Sequence, residues 1–136
     1  MEDLQEFARQ VFESQPFSRH IGAELLSSGP GHAEIGVVIA DHLKQQHGFV
    51  HGGVISYLAD NSLTFAGGLA LGSNALTSEF KINYLKPASG SRLVARAKAK
   101  GVGKRQAVCL CEIFAIAEGG ETLCAIAQGT VVSVSQ

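Results

Sequence analysis

A single carboxylate, Asp60, lies inside a long apolar stretch of this sequence. It is the only Asp, Glu, Lys or Arg between Lys44 and Glu79, and residues 52–71 read GGVISYLADNSLTFAGGLAL. Burying a carboxylate in such company is costly unless it is paired or hydrogen-bonded, and such surroundings also shift carboxyl pKa values for chemistry. Asp60 is therefore either a catalytic group or a structural aspartate satisfied by neighbouring hydroxyls or a backbone amide.

The second candidate is the sequence His51-Gly52-Gly53, where a polar loop meets the predicted helix. Glycine lets another group approach the backbone closely, and free N–H groups at a helix start favour a negatively charged oxygen. An oxyanion hole requires both properties. A helix entry that is tight enough to demand glycine accounts for the same residues, so the motif alone leaves both interpretations open.

The spacing of the two candidates constrains any shared chemistry. Gly52 and Asp60 are eight residues apart, which separates them by about 12 Å along one helix. A catalytic base must lie within about 3 Å of the reacting group or act through one water. If two such helices pack antiparallel about a two-fold axis, Gly52 of one chain can face Asp60 of the other. We therefore expect catalysis to require a dimer with two equivalent sites.

Periodicity predicts the elements that position these residues. Apolar residues at three- and four-residue spacing indicate an amphipathic helix from Leu4 to Phe12, ended by Pro16-Phe17. A long buried helix opens at 51–53 and ends near Gly67-Gly68 or slightly later, and Thr64 lies one turn beyond Asp60 on the same face. Alternation with turn signals predicts six strands: 23–28, 32–39, 78–84, 93–100, 107–117 and 121–133.

This element order predicts one α+β domain over residues 1–136, with an antiparallel sheet of about six strands wrapped around a central helix. In the third strand, Ser78, Phe80, Ile82 and Tyr84 are expected to face inward. The outer face and the two edges of such a sheet need cover, and partner subunits are the natural cover. We therefore expect a homo-oligomer.

Composition excludes several classes of function. Of the 136 residues 46% are hydrophobic and 17% charged, and the net charge of −1 argues against extended nucleic-acid binding. Asp60 within the apolar stretch argues against a membrane span. The number of cysteines is odd, and all three lie in apolar stretches: Cys109, Cys111 and Cys124. They are therefore predicted to be buried free thiols, which indicates a cytoplasmic location. Histidine spacing predicts no metal site.

The motif Gly48-x-x-His51-Gly52-Gly53, followed seven residues later by Asp60, resembles the hotdog-fold thioesterases of the phenylacetyl-CoA and 4-hydroxybenzoyl-CoA (PaaI-like) type. The run FKINYLKP at residues 80–87 is similar to that family's strand after the helix. The resemblance spans nearly the whole chain. It implies hydrolysis of an acyl- or aroyl-CoA to CoA and free acid by a homo-oligomer, a dimer or a dimer of dimers. No cofactor is implied, because coenzyme A is part of the substrate.

The resemblance also implies roles for single residues. Gly52 would supply the N–H that polarises the thioester carbonyl, Gln45 would assist at that carbonyl, and His51 would support the loop. Asp60 from the partner subunit would act as nucleophile or as general base for water. We favour the water-mediated base, because Asp is one methylene shorter than the Glu of the 4-hydroxybenzoyl branch.

Further positions match different branches of the family. Ser78 matches a water-orienting serine, and Thr64 matches a carboxylate-orienting threonine. Five residues are expected around the bound substrate, the last three as candidates for the CoA phosphates or as ordinary solvated turn charges: Gly53, Asn61, Lys86, Lys104 and Arg105. The mixture leaves the acyl group open. A hotdog hydratase or dehydratase and a non-catalytic acyl-CoA-binding domain are the alternatives.

Overall fold

One long helix and six antiparallel strands make up most of the chain in a computed structural model that describes residues 3–134. A 3₁₀ turn at Asp41–Leu43 interrupts the loop before the long helix. The elements are α1 (Leu4–Glu13), α2 (Pro16–Ile21), β1 (Ala23–Gly29), β2 (His32–Val38), α3 (Gly52–Leu71), β3 (Ala75–Tyr84), β4 (Arg92–Val102), β5 (Gln106–Ala117) and β6 (Gly120–Ser133).

The strands form one sheet in the order β1-β2-β4-β5-β6-β3, with every neighbouring pair antiparallel. Helix α3 packs against all six strands and supplies the centre of the core with residues such as Leu58 and Leu63, both fully buried. The predicted α+β hotdog architecture is confirmed. Within residues 3–134, β3 pairs only with β6, so its other edge is unpaired.

Close approach between α3 and the sheet depends on one glycine. A methyl group added at Gly67 would lie 2.7 Å from Cβ of Val131 on β6, whereas one added at Gly68 would meet nothing nearer than 3.4 Å. Atoms that close must shift, and overpacking a core in this way is destabilising. Gly67 therefore sets how near the helix lies to the sheet.

We expect Gly67→Ala to lower the free energy of unfolding by about 1–3 kcal/mol because the new methyl overpacks the core. Gly68→Ala is the matched control, since it adds the same methyl with room to spare and removes a flexible helix residue, which gains about 0.5–1 kcal/mol. Urea unfolding of the two variants measures the difference. Equal stability of both variants would contradict the close-packing interpretation.

The first helix differs from its prediction. Helix α1 ends at Glu13, three residues before Pro16, and Pro16 opens the second helix α2 instead of ending the first. The missing N–H of proline is not needed in the first turn, where no intrahelical acceptor exists. Helix α3 runs to Leu71, slightly beyond Gly67-Gly68, and ends at Gly72 in the left-handed conformation.

A bulge breaks the predicted alternation of β3. The register against β6 shifts between Thr77 and Glu79, so Ser78 is left exposed while Thr77 turns inward. An extra residue in one strand reverses the faces on its two sides. The prediction that Phe80 and Ile82 face inward is confirmed, whereas Ser78 and Tyr84 are exposed.

The prediction that the cysteines are buried free thiols is confirmed for all three. Cys109, Cys111 and Cys124 are free and buried, and the first two lie on the same face of β5. Burial raises the pKa of the Cys109 and Cys111 thiols to about 11, which leaves them protonated and unreactive at neutral pH. Among residues 3–134, no helix has the length and apolar character needed to cross a membrane.

Candidate active site

The first turn of α3 presents one unused backbone N–H. His51 is the N-cap, and its Nδ1 accepts a hydrogen bond of 2.8 Å from the N–H of Gly53. The N–H of Gly52 has no acceptor within residues 3–134, as expected for the first helical residue. Gly52 therefore offers its N–H to an incoming oxygen, whereas the N–H of Gly53 is already engaged.

The loop before α3 fixes the side chain of Gln45. Its Oε1 accepts hydrogen bonds from the backbone N–H groups of His47, at 2.6 Å, and Phe49, at 3.3 Å. Its backbone N–H also donates to the Phe49 carbonyl at 2.8 Å. With the amide oxygen occupied on both sides, the NH₂ end of Gln45 is the end left to donate. This arrangement fits a donor to a substrate carbonyl.

A tyrosine that the sequence did not single out holds the same helix start. The hydroxyl of Tyr84, at the end of β3, donates to the carbonyl of Gly52 at 3.1 Å and lies 2.6 Å from Oγ of Ser56. A methyl group added at Gly52 would meet the Tyr84 ring at 3.5 Å. Tyr84 therefore packs directly against the glycine whose N–H is free and holds its carbonyl group.

Asp60 is half-buried on α3, and a threonine from β3 holds its carboxylate. The hydroxyl of Thr77 donates to Oδ1 of Asp60 at 2.6 Å. No Lys, Arg or His within residues 3–134 forms an ion pair with Asp60. In the same range, every fully buried side-chain N or O atom has a hydrogen-bond partner. Oδ2 of Asp60 has none, so it is not fully buried and is accessible to water. One oxygen is thus positioned and the other is available.

Thr64 acts on Asp60 indirectly. Its hydroxyl donates to the Asp60 main-chain carbonyl at 2.7 Å and also contacts the Thr77 hydroxyl. Each hydroxyl carries one proton. With the Thr77 proton on the carboxylate, Thr64 has a single proton to share between the Asp60 main-chain carbonyl and the Thr77 oxygen. Thr64 was expected to orient or hydrogen-bond the carboxylate. The direct hydrogen bond comes from Thr77 instead, and an orienting role for Thr64 stays a prediction.

The bulge also decides the position of Ser78. This residue was expected to share the inward face, but it is exposed at the bulge, next to the threonine that contacts Asp60. Within one chain Ser78 has no hydrogen bond to Asp60. Its water-orienting role stays a prediction that concerns a second subunit.

We expect Thr77→Val to lower kcat about tenfold, because the carboxylate loses a hydrogen bond of the charged class, which contributes about 1.5–3 kcal/mol. The isosteric valine keeps the half-buried shape, and Thr77→Ser restores the donor. Steady-state kinetics and thermal unfolding of both variants separate positioning from stability. A larger loss in Ser78→Ala than in Thr77→Val would assign the role to Ser78 instead.

Asn61 follows Asp60 on α3 but bonds to other residues. Asn61 donates to Oε1 of Gln15 at 2.9 Å and to the hydroxyl of Tyr57 at 3.1 Å, which ties α3 to the start of α2. Burial raises the pKa of Tyr57, and hydrogen bonds with Ser18 and Asn61 partly oppose that shift. Asn61 thus has structural partners already, and a contact with substrate stays a prediction.

The basic residues lie at opposite ends of α3. Lys86 follows β3 near the Gly52 end, since Tyr84 donates to the Gly52 carbonyl and Ala88 accepts a hydrogen bond from Val50. Lys104 and Arg105 lie in the β4–β5 turn, at the end where the Arg105 carbonyl accepts from Ser133. One chain therefore does not bring the three together. All three are exposed and, within residues 3–134, unpaired.

Comparison with known proteins decides the family. Residues 47–127 match the sequence profile of the thioesterase superfamily, a region that contains both the free Gly52 N–H and Asp60. The chain belongs to the thioesterase superfamily. It is therefore a thioester hydrolase.

Relatives and solved structures agree with this membership. The acyl-coenzyme A thioesterase PaaI of Escherichia coli K12 is 27% identical over 78% of this chain and 76% of its own. A thioesterase family protein from Silicibacter pomeroyi superposes with a TM-score of 0.88 at 31% identity, covering 94% of this chain and 96% of that one. The E. coli PaaI structure shares the fold, with a TM-score of 0.85 at 23% identity over 98% and 97%.

Proposed function

We propose that this thioesterase hydrolyses acyl-CoA thioesters, with Gly52 as the oxyanion donor of one subunit and Asp60 as the base of the other. The observation that carries the proposal is the pair of open groups on α3. Within residues 3–134 the Gly52 N–H and the Asp60 Oδ2 have no hydrogen-bond partner, although the same two residues are held by Tyr84 and Thr77 through other atoms. One suits a developing oxyanion and the other suits a proton on water.

The chemistry follows from these two groups. A water held by Oδ2 of Asp60 attacks the thioester carbonyl carbon while the carboxylate takes its proton. The carbonyl oxygen gains negative charge and is stabilised by the Gly52 N–H, with the Gln45 NH₂ as a second donor. The C–S bond then breaks, and the CoA thiolate leaves and takes up a proton. Thr77 keeps the free carboxylate oxygen directed at the water throughout.

Two subunits are needed because the groups are about 12 Å apart along α3. The unpaired edge of β3 supports such an assembly, since it lies beside α3 and exposes Leu76, 62% accessible, and Tyr84, 53% accessible. Exposed strand edges with apolar residues are the usual place for a second strand to pair. A two-fold partner there would cover this edge. A tetramer formed from two such dimers stays a prediction.

Antiparallel pairing of α3 would also reunite the basic residues. Lys86 lies at the Gly52 end of its own helix, and Lys104 and Arg105 lie at the opposite end. About a two-fold axis the opposite ends of the two helices become neighbours. The CoA phosphates would then find Lys86 from one subunit and the pair from the other. That the reaction needs no metal stays a prediction. The cytoplasmic location of the protein stays a prediction too.

A thiol-release assay across acetyl-, medium-chain, long-chain and aromatic acyl-CoAs tests this function. We expect CoA release with at least one of them, with turnover proportional to enzyme. A chain that binds acyl-CoA in calorimetry but releases no thiol would instead be the non-catalytic binding domain. Hydration of an enoyl-CoA without thiol release would support the hydratase alternative.

A further inference from the structure

A cavity separates α1 from the second half of α3 and the start of β3. Its volume is about 730 Å³, within the range of small-molecule sites. Three apolar side chains of α1 line one wall, namely Leu4, Phe7 and Val11, and Leu69 and Leu76 line the other. Nothing in the catalytic arrangement described above uses this space.

The inner end of the cavity lies one side chain away from the Asp60 carboxylate. Thr64 lines it, and Thr64 contacts both the Asp60 main-chain carbonyl and the threonine that holds Oδ1. Gln15 also lines this end and is bonded to Asn61, the neighbour of Asp60. A substrate group that leaves the reacting carbonyl in this direction has only the Thr64 and Thr77 side chains between it and the cavity.

The cavity is long and ends in polar residues. Thr64 and Gly72 both line it, and their eight-residue separation on α3 corresponds to about 12 Å. Beyond Gly72 lie Ser73 and Asn74, which are exposed and also line the cavity. An apolar chain would therefore contact this lining for about 12 Å and then reach polar residues.

We infer that this cavity takes the acyl chain of the substrate and that the substrate class is unbranched aliphatic acyl thioesters of medium length. The inference rests on the proposed function. Its physical basis is that the cavity is elongated and lined by apolar residues, as an acyl chain extending from a carbonyl group near Asp60 requires. Each methylene removed from water contributes about a fourfold gain in affinity, until the chain reaches the polar mouth.

The test measures kcat/KM for acetyl-, butanoyl-, hexanoyl-, octanoyl- and decanoyl-CoA, together with calorimetric binding of the matching non-hydrolysable CoA thioethers. For the native enzyme we expect kcat/KM to rise about fourfold per methylene and then level off. Val11→Phe narrows the cavity, and we expect the octanoyl-to-acetyl ratio to fall at least tenfold. Gln10→Phe adds the same ring to the exposed face of α1 and is the matched control.

A second variant guards against a folding defect in the first. Phe7→Ala enlarges the same cavity, and we expect the length optimum to move toward longer chains. An active enzyme with a flat length profile, or a ratio equally low in Gln10→Phe, overturns the inference and leaves the proposed function standing. Length-dependent thioether binding without thiol release supports the cavity and overturns the catalytic proposal. A change of oligomeric mass in Val11→Phe would identify a second copy as the occupant and overturn the inference.

Discussion

Replacing Asp60 by asparagine is expected to lower kcat by about 10²–10⁴, the contribution of a positioned general base. Asparagine keeps the size of the side chain and can still accept a hydrogen bond from Thr77, which holds Oδ1 at 2.6 Å in the native chain. It cannot take a proton from water. Thiol release with the preferred acyl-CoA measures the loss.

The control for this variant is Asp41→Asn, which removes the same charge from a side chain that is 99% exposed in the loop before α3. We expect that control to keep native activity and both variants to keep the native oligomeric mass by light scattering. Undiminished turnover in Asp60→Asn would remove Asp60 from the mechanism. Lost activity with a changed mass would show that Asp60 serves assembly instead.

The fold was predictable because its signals are local. Strands β1 and β2 pair across the Gly-Pro-Gly turn at 29–31, and β5 and β6 meet at a two-residue turn before Gly120, as the turn residues indicate. The continuous apolar stretch predicts a buried helix, and α3 is one. The start of α2 was missed because Pro16 ends a helix or begins one equally well, and only packing distinguishes the two outcomes.

Much of the candidate site was predictable, but its orienting partners were not. Residue type and helix spacing single out Gly52 and Asp60 as candidates, and the family resemblance supplies their expected roles. Thr77 was missed because period two assigns it to the outer face, and a bulge that leaves no mark in the sequence turns it inward. Tyr84 was missed because its contact with Gly52 joins residues 32 positions apart. Helix and strand periodicity does not predict a contact between residues so far apart in the sequence.

Replacing Gly52 by proline is expected to lower kcat by about 10²–10³, the effect of removing one oxyanion donor. Proline deletes the N–H for which residues 3–134 supply no acceptor, and it is favoured at the first position of a helix. His51 already has φ −62° and ψ 136°, which suits a residue before proline. Gly52→Ala is the control, because it keeps the N–H and its methyl meets the Tyr84 ring at an ordinary 3.5 Å.

Mixing the two inactive variants tests whether each site is shared between subunits. In a dimer of one Asp60→Asn chain and one Gly52→Pro chain, one site carries both defects and the other carries an intact Gly52 N–H opposite an intact Asp60. Random exchange makes half of the dimers mixed, so about one quarter of native activity should return. Activity that stays at the level of the separate variants, in dimers proven mixed by mass spectrometry, would place both groups of each site in one chain. The 12 Å along α3 makes that outcome hard to reconcile with a common carbonyl, so recovery of activity is the expected result.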